Sequence, residues 1–204
     1  SSAYAHAVAA NLPGRMNRLL SADFRRTLAG YQPESVVAGA MGDARDHPLT
    51  RALRADLRVW LPGRMLAKTD RAAMAHSLET RAPFLDHRLV EWAAALPPSF
   101  KLSEGVGKRI LKSALEERLP DEILYRPKQG FATPLSGWMR AKDGPMARLM
   151  ASDAWRQSGV FDARAVERIA GDHASGRSDA GQELWTTLMF DAFLTNAVKA
   201  GEEI

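Results

Sequence analysis

Apolar residues recur at helical spacing along most of the chain, and the strict alternation that marks a half-buried strand is nowhere sustained. From Ala3 to Leu28 helix formers dominate, with a break at Asn11-Leu-Pro-Gly14 and with Ser21 placed to cap a second helix that Gly30 ends. The segment from Tyr31 to Pro48 reads as a connector with one short helix from Glu34 to Met41. Leu49, Leu53, Leu57 and Trp60 then predict a helix that Leu61-Pro-Gly63 stops, and a further helix bears Asp70. Asp86 is placed to cap a helix with Leu89, Val90, Trp92, Ala93 and Leu96 on its inner face, closed by Pro97-Pro98. Gly105 and Gly107 lead into a helix over Lys108 to Arg118, and Leu119-Pro120-Asp121 opens a short one. Past Pro134 come short helices, then one capped by Asp162 with Val166, Ile169 and Ala170 inward. A long helix from Gln182 to about Val198 follows Gly181, with Leu184, Trp185, Leu188, Met189, Ala192 and Phe193 as its buried stripe. The pattern predicts an all-α chain, divided into N-terminal helices and connector (1–48) and a longer helical part (49–204).

Composition narrows the function. A chain of 204 residues, 46% hydrophobic, can bury a core and is not a disordered segment. Its 28 basic residues are offset by 24 acidic ones spread along the length, so the net charge of +4 mildly favours anionic partners without forming a nucleic-acid footprint. There is no cysteine, hence no disulfide, thiolate metal site or cysteine nucleophile, which is compatible with a reducing cytoplasm. No apolar run approaches a membrane span, and the start, Ser1-Ser-Ala-Tyr-Ala-His, reads as that of a cut or processed chain.

The chemistry is to be sought in two stretches. In Lys68-Thr-Asp70-Arg71, the neighbours of Asp70 one turn away are Leu66, Ala67, Ala73 and Met74, so no local cation pairs with it. Two readings stay open: a helix-flank acid that meets solvent or an arginine from elsewhere, or an acid that anchors a substrate or a magnesium phosphate. Glu79, nine positions on, would face away from Asp70 on an unbroken helix. Thr80 and Pro83 argue that the helix ends between His76 and Leu78, which leaves Glu79 to turn back, either into catalysis or into an ion pair with Arg81 or Arg88. In Tyr125-Arg-Pro-Lys128-Gln-Gly130-Phe131, Pro127 and Gly130 hold Lys128 out of any helix, either as an exposed loop lysine or as a point charge for a phosphate or developing anion. Gly105-Val-Gly107-Lys108 resembles a short phosphate cradle but is not a Walker A sequence. His76, His87 and His173 lack the spacing of metal ligands and read as structural or surface residues, and no nucleophile elbow is present.

Taken together, Trp60-Leu-Pro62, Lys68-Thr-Asp70-Arg71, Met74-Ala-His-Ser-Leu-Glu79, Arg81-Ala-Pro-Phe-Leu-Asp86-His87 and Arg126-Pro-Lys128-Gln-Gly-Phe131 resemble, in order and spacing, the C-terminal region of the glutamine-dependent asparagine synthetase family. Gly107-Lys108, Leu119-Pro-Asp-Glu-Ile123, His173-Ala-Ser-Gly-Arg177 and Leu184-Trp185 are similar to further landmarks, so that the resemblance covers most of the chain from about Leu49. It implies the helical C-terminal portion of an α/β synthetase domain of the adenine-nucleotide α-hydrolase type. ATP and Mg2+ serve such an enzyme in making an acyl adenylate from aspartate or an analogue, which ammonia from glutamine converts to an amide. By the same resemblance Glu79 handles the proton of the incoming amine and Lys128 stabilises charge on the adenylate. Asp70, Arg81 and Lys108 are candidates for the nucleotide and pyrophosphate side, with Asp70 the candidate to contribute to a metal site that this chain does not complete. The family's Ser-Gly-Gly-x-Asp-Ser pyrophosphate loop and its N-terminal glutaminase cysteine are not in the sequence. The resemblance therefore implies an upstream synthetase half and a glutaminase domain as partners. It also implies a cytoplasmic setting, no nucleic-acid or membrane partner, a homodimer as one possible assembly, no tightly bound nucleotide and no activity for this chain alone. A β-lactam synthetase-like amide former, which pairs a tyrosine with the glutamate, and a non-catalytic helical interaction module are the competing expectations.

Overall fold

The computed structural model describes residues 2–127, 129–130 and 133–202, and over these the chain is helical with one very short hairpin. In chain order the helices are α1 (Ser2–Val8), α2 (Pro13–Met16), α3 (Ala22–Thr27), α4 (Glu34–Ala40), α5 (Pro48–Ala55), a π-helix over Asp56–Leu66, α6 (Ala67–Met74), a 3-10 turn at Pro83–Leu85, α7 (His87–Ala95) and α8 (Pro98–Lys101). The strands β1 (Leu102–Ser103) and β2 (Val106–Gly107) precede α9 (Arg109–Ser113), α10 (Asp121–Leu124), α11 (Leu135–Arg140), α12 (Pro145–Ala151), α13 (Ala154–Gln157), α14 (Ala163–Ala174) and α15 (Gly181–Glu202). The chain forms two compact units, one of Ser1–Ala5 with Glu34–Gly130 and one of His6–Pro33 with Phe131–Ile204. A boundary at residue 48 falls inside the first.

The second unit holds the hydrophobic core. Leu19, Met139, Leu149, Trp155, Phe161, Val166, Ala170, Ala180 and Leu184 cluster there, with α11, α12 and α13 packed against α15. Trp155 is fully buried, donates its indole N–H to the Leu149 carbonyl at 2.8 Å and meets Phe161 edge to face. Residues 19–21 run alongside 160–162: Ser21 N–H bonds Val160 O at 2.9 Å and Asp162 N–H bonds Leu19 O at 2.8 Å. The capping expectations hold, since Ser21 accepts from Phe24 N–H and Asp162 from Ala165 N–H.

One expectation for this unit is corrected. On α15, Met189 and Phe193 are exposed, and the inward face instead carries Glu183, Leu184, Thr187 and Asp191. Three polar residues at helical repeat go inward because each finds a partner. Asp191 accepts from the Ser152 hydroxyl and from Trp155 N–H, which ties the start of α13 to α15. Thr187 bonds back to the Glu183 carbonyl, and Glu183, only 2% exposed, pairs with Arg15, with Arg18 at 3.8 Å. Arg15→Met therefore leaves a buried carboxylate with one distant cation. It should lower the stability of the chain by about 2–4 kcal/mol in a denaturant titration, and Arg15→Met with Glu183→Leu should regain most of the loss.

The first unit has few buried apolar side chains: Ala5, Met41 and Ala55 are buried. The expected inner face of α7 is not buried, for Trp92 is 54% exposed and Leu89 is also exposed. Nor does Leu61-Pro-Gly63 end a helix, because the chain stays helical from Pro48 to Met74 by passing through the wider π register at Asp56–Leu66. The two strands, which the sequence pattern did not predict, pair Leu102 with Gly107 and Ser103 with Val106 across a two-residue turn. Glu104 (φ 52°) and Gly105 (φ 76°) take the left-handed conformation that such turns need.

Tyr4 donates to Asp56 at 2.6 Å where the π-helix begins. Burial first, then this hydrogen bond and the charge of Asp56, push the Tyr4 phenol up to about 12. A raised folded value makes this contribution to stability complete below the ordinary tyrosine value near 10 and lost between about pH 10 and 12. Absorbance titration should show one phenolate forming near pH 12 that moves down in Asp56→Asn.

Candidate functional site

The helix that bears Asp70 ends at Met74, just before the His76–Leu78 stretch in which the sequence places its end, and the chain turns through 75–77. Ser77 N–H bonds Met74 O at 2.9 Å and Leu78 N–H reaches back to Ala73 O at 3.0 Å, the paired bonds of a Schellman ending. Ser77 supplies the left-handed residue at φ 56°, a conformation that a side chain disfavours, and the chain leaves the helix there. Ala82 is extended (φ −101°, ψ 105°), as the following Pro83 requires, and Asp86 caps α7 by accepting from Arg88 N–H at 3.0 Å. Glu79, Thr80 and Arg81 therefore lie on an exposed, non-helical loop between two capped helices.

On that loop the carboxylate of Glu79 pairs with Arg81, the contact that the sequence offered as the alternative to catalysis. With the side chains 69% and 85% exposed, such a pair is worth little to stability, and it holds the carboxylate without sequestering it. Asp70 is exposed on α6; its apolar neighbours Leu66 and Met74 are themselves exposed and do not enclose it. No hydrogen bond or ion pair among the described residues joins Asp70 or Lys108 to Glu79 or Arg81. Lys128 lies outside the described residues; its flank Arg126-Pro127 is irregular and exposed.

Gly105 turns the hairpin, Gly107 belongs to β2, and Lys108 (φ 57°) is the left-handed link into a helix of five residues. Two of the three tyrosines bond other carboxylates: the Tyr4 hydroxyl bonds Asp56 and the Tyr125 hydroxyl bonds Glu116. That carboxylate partner pushes the Tyr125 phenol up. Among the described residues no three of histidine, aspartate or glutamate come together in a metal-holding group, and Asp70 is a single oxygen donor. The residues present therefore do not fit a complete Mg2+ site.

The second unit shows what its sequence landmarks do. His173 is fully buried; Ala180 N–H donates to its Nδ1 at 3.2 Å, which leaves Nε2–H to face the Ser136 carbonyl at 3.2 Å. The Arg140 guanidinium bonds the His173 carbonyl, and Arg177 pairs with Asp172 at 2.6 Å. Asp179 accepts from the Ser136 hydroxyl and Gly181 N–H, and these bonds, the hydroxyl first, hold its carboxyl below the usual range. His173-Ala-Ser-Gly-Arg177 is thus a structural knot that joins α11, α14 and the start of α15. A groove of about 550 Å³ beside it is lined in part by Arg15, Arg18, Asp172 and Asp179. The partners of His173, Ser136 and Ala180, were not readable from its spacing.

Known proteins place the chain. It is 35% identical over 183 residues to a Mycobacterium tuberculosis protein named "Putative asparagine synthetase (glutamine-hydrolyzing)", an alignment that covers 87% of this chain and 28% of that protein. It is 30% identical over 135 residues to asparagine synthetase (glutamine-hydrolyzing) 1 of Bacillus subtilis, covering 66% of this chain and 21% of the relative. Over a shorter stretch of 68 residues it is 43% identical to the asparagine synthetase (glutamine-hydrolyzing) of Rattus norvegicus, 32% of this chain and 12% of the relative. The chain spans less than a third of the length of these relatives. No solved structure matches it. Residues 3–195 match the asparagine synthase family, and the chain belongs to that family.

Proposed function

We propose that the chain is the helical C-terminal part of the synthetase domain of an ATP-dependent, amide-forming ligase of the asparagine synthase, glutamine-hydrolysing type. The match of residues 3–195 to the family carries this reading. The loop after α6 supports it, because two consecutive caps hold Glu79 and Arg81 exposed and off the helix. In this reading the carboxylate of aspartate or an analogue attacks the α-phosphorus of ATP, and pyrophosphate leaves. Ammonia derived from glutamine then attacks the acyl carbon, and AMP leaves with the former carboxylate oxygen. Glu79 takes the proton that the attacking amine must lose, and Lys128 offsets the negative charge that develops on the acyl adenylate. Asp70, Arg81 and Lys108 face the nucleotide and pyrophosphate side.

The apolar surface of the first unit supports the partner assignment. Phe84 is 67% exposed, and Met74, Leu78, Trp92 and Phe100 are exposed as well, apolar surface that a partner domain would cover. The upstream half of the synthetase domain covers it in the whole protein, and a glutaminase domain supplies the ammonia. A homodimer through the same surface is the state that competes when the chain stands alone. No helix among the described residues is long and apolar enough to cross a membrane, which is compatible with the cytoplasmic setting proposed here.

The test is an assay of pyrophosphate and AMP release by the full-length protein supplied with ATP, aspartate and either glutamine or ammonium. Release that depends on both the carboxylate and the nitrogen donor supports the reading. ATP turnover independent of either would overturn it, as would tight ATP binding or pyrophosphate release by the 204-residue chain alone.

A further inference from the structure

The helix that carries Asp70 is entered through a stretch of unusual winding. Across Asp56–Leu66 the helix is of the π type, and Ala67 N–H donates to the Pro62 carbonyl five residues back instead of four. Such runs are rare, are mostly limited to a single turn and recur at functional sites. Here the sequence gives the cause. Pro62 lies inside the helix, where an α register would press its ring against the carbonyl of Arg58 and cost about 3 kcal/mol. Widening the turn relieves that clash while the helix continues into α6. The winding has a geometric result downstream, since a change of register by one residue turns everything after it by roughly 100° about the helix axis. Lys68 and Asp70 follow within the next turn, so the direction in which they point is set by whether residues 56–66 are wound as π or as α.

We propose that Pro62 is a positioning residue: it holds the π register and thereby fixes the side of α6 on which Asp70 is presented to the nucleotide. The proposal rests on the assignment of Asp70 to the nucleotide side of a synthetase site. Pro62 acts only through the helix. Its removal changes where Asp70 points without removing any group that meets a substrate.

The absence of cysteine lets two introduced cysteines, Thr50→Cys on α5 and Ala72→Cys on α6, carry the only spin labels, so that their separation reports the register. In Pro62→Ala the distance distribution should move by several Å, and Pro62→Ser, which restores the same N–H, should move it the same way. Gly63→Ala keeps the proline and should superimpose on the parent. In the full-length protein Pro62→Ala should raise the KM for ATP about tenfold with a smaller change in kcat. An unmoved distance in both proline variants overturns the proposal, as does a moved distance with an unchanged KM for ATP. Asp70→Asn separates this from the underlying reading: an unchanged KM for ATP there means that Asp70 does not serve the nucleotide, while the label distances still report whether Pro62 sets the register.

Discussion

Lys128→Ala in the full-length protein is expected to lower ATP-dependent pyrophosphate release by about 10²- to 10³-fold, the usual cost of removing one preorganised charge from a developing anion. Pro127 and Gly130 bracket the residue in sequence, a pairing that disfavours a helix through it. Glu79→Gln keeps the volume and polarity of the side chain but removes the proposed base, and should lower amide formation by about 10²-fold. Both losses should fall on kcat more than on KM, because in the proposed mechanism each group acts on charge or a proton that appears only as the reaction proceeds. The assay uses ammonium in place of glutamine, so that no glutaminase step limits the rate. Full turnover in both variants would remove these residues from the chemistry.

Trp155→Ala should be the most damaging single change to the fold, at about 3–5 kcal/mol. The side chain is fully buried, fills the centre of the core of the second unit, and lies beneath the Arg156 guanidinium at 4.6 Å. Its loss also strands the Leu149 carbonyl, which accepts the indole N–H. Domains of ordinary stability hold about 5–15 kcal/mol in all, so the variant should melt at far lower denaturant. Far-ultraviolet circular dichroism is the suitable probe, since it follows the helices of the chain whichever tryptophan is removed. Trp155→Phe should cost less than half as much, because it keeps most of the apolar volume and gives up only the hydrogen bond. An unchanged midpoint for the alanine variant would contradict the core as described.

Local rules were legible where one residue decides the outcome. Ser21, Asp86 and Asp162 cap the helices that their side-chain oxygens suit, Pro83 extends Ala82, and the helix bearing Asp70 ends before Glu79. What periodicity could not supply was the environment. The spacing of Leu89 and Trp92 is that of a buried face, yet burial depends on what lies opposite, and both are exposed. Pro62 reads as a stop under α-helical rules, and no sequence rule announces that the helix will widen instead. The hairpin was missed because two strands of two residues leave no alternation to detect. For the site, the break at Ser77 was readable in outline, but the choice between catalysis and pairing with Arg81 was not, because an exposed carboxylate is compatible with both.

The inward polar face of α15 bears on how this helix finds its place. Turned about its axis, α15 would offer Met189 and Phe193 to the core, a greasier and superficially better seat. That seat would strip Trp155 N–H and Ser152 of Asp191 and leave Glu183 away from Arg15. Each buried polar group left unpaired in that seat costs about 1–3 kcal/mol, so Glu183 and Asp191 act against that orientation of the helix. Their value lies in excluding the wrong assembly more than in strengthening the right one.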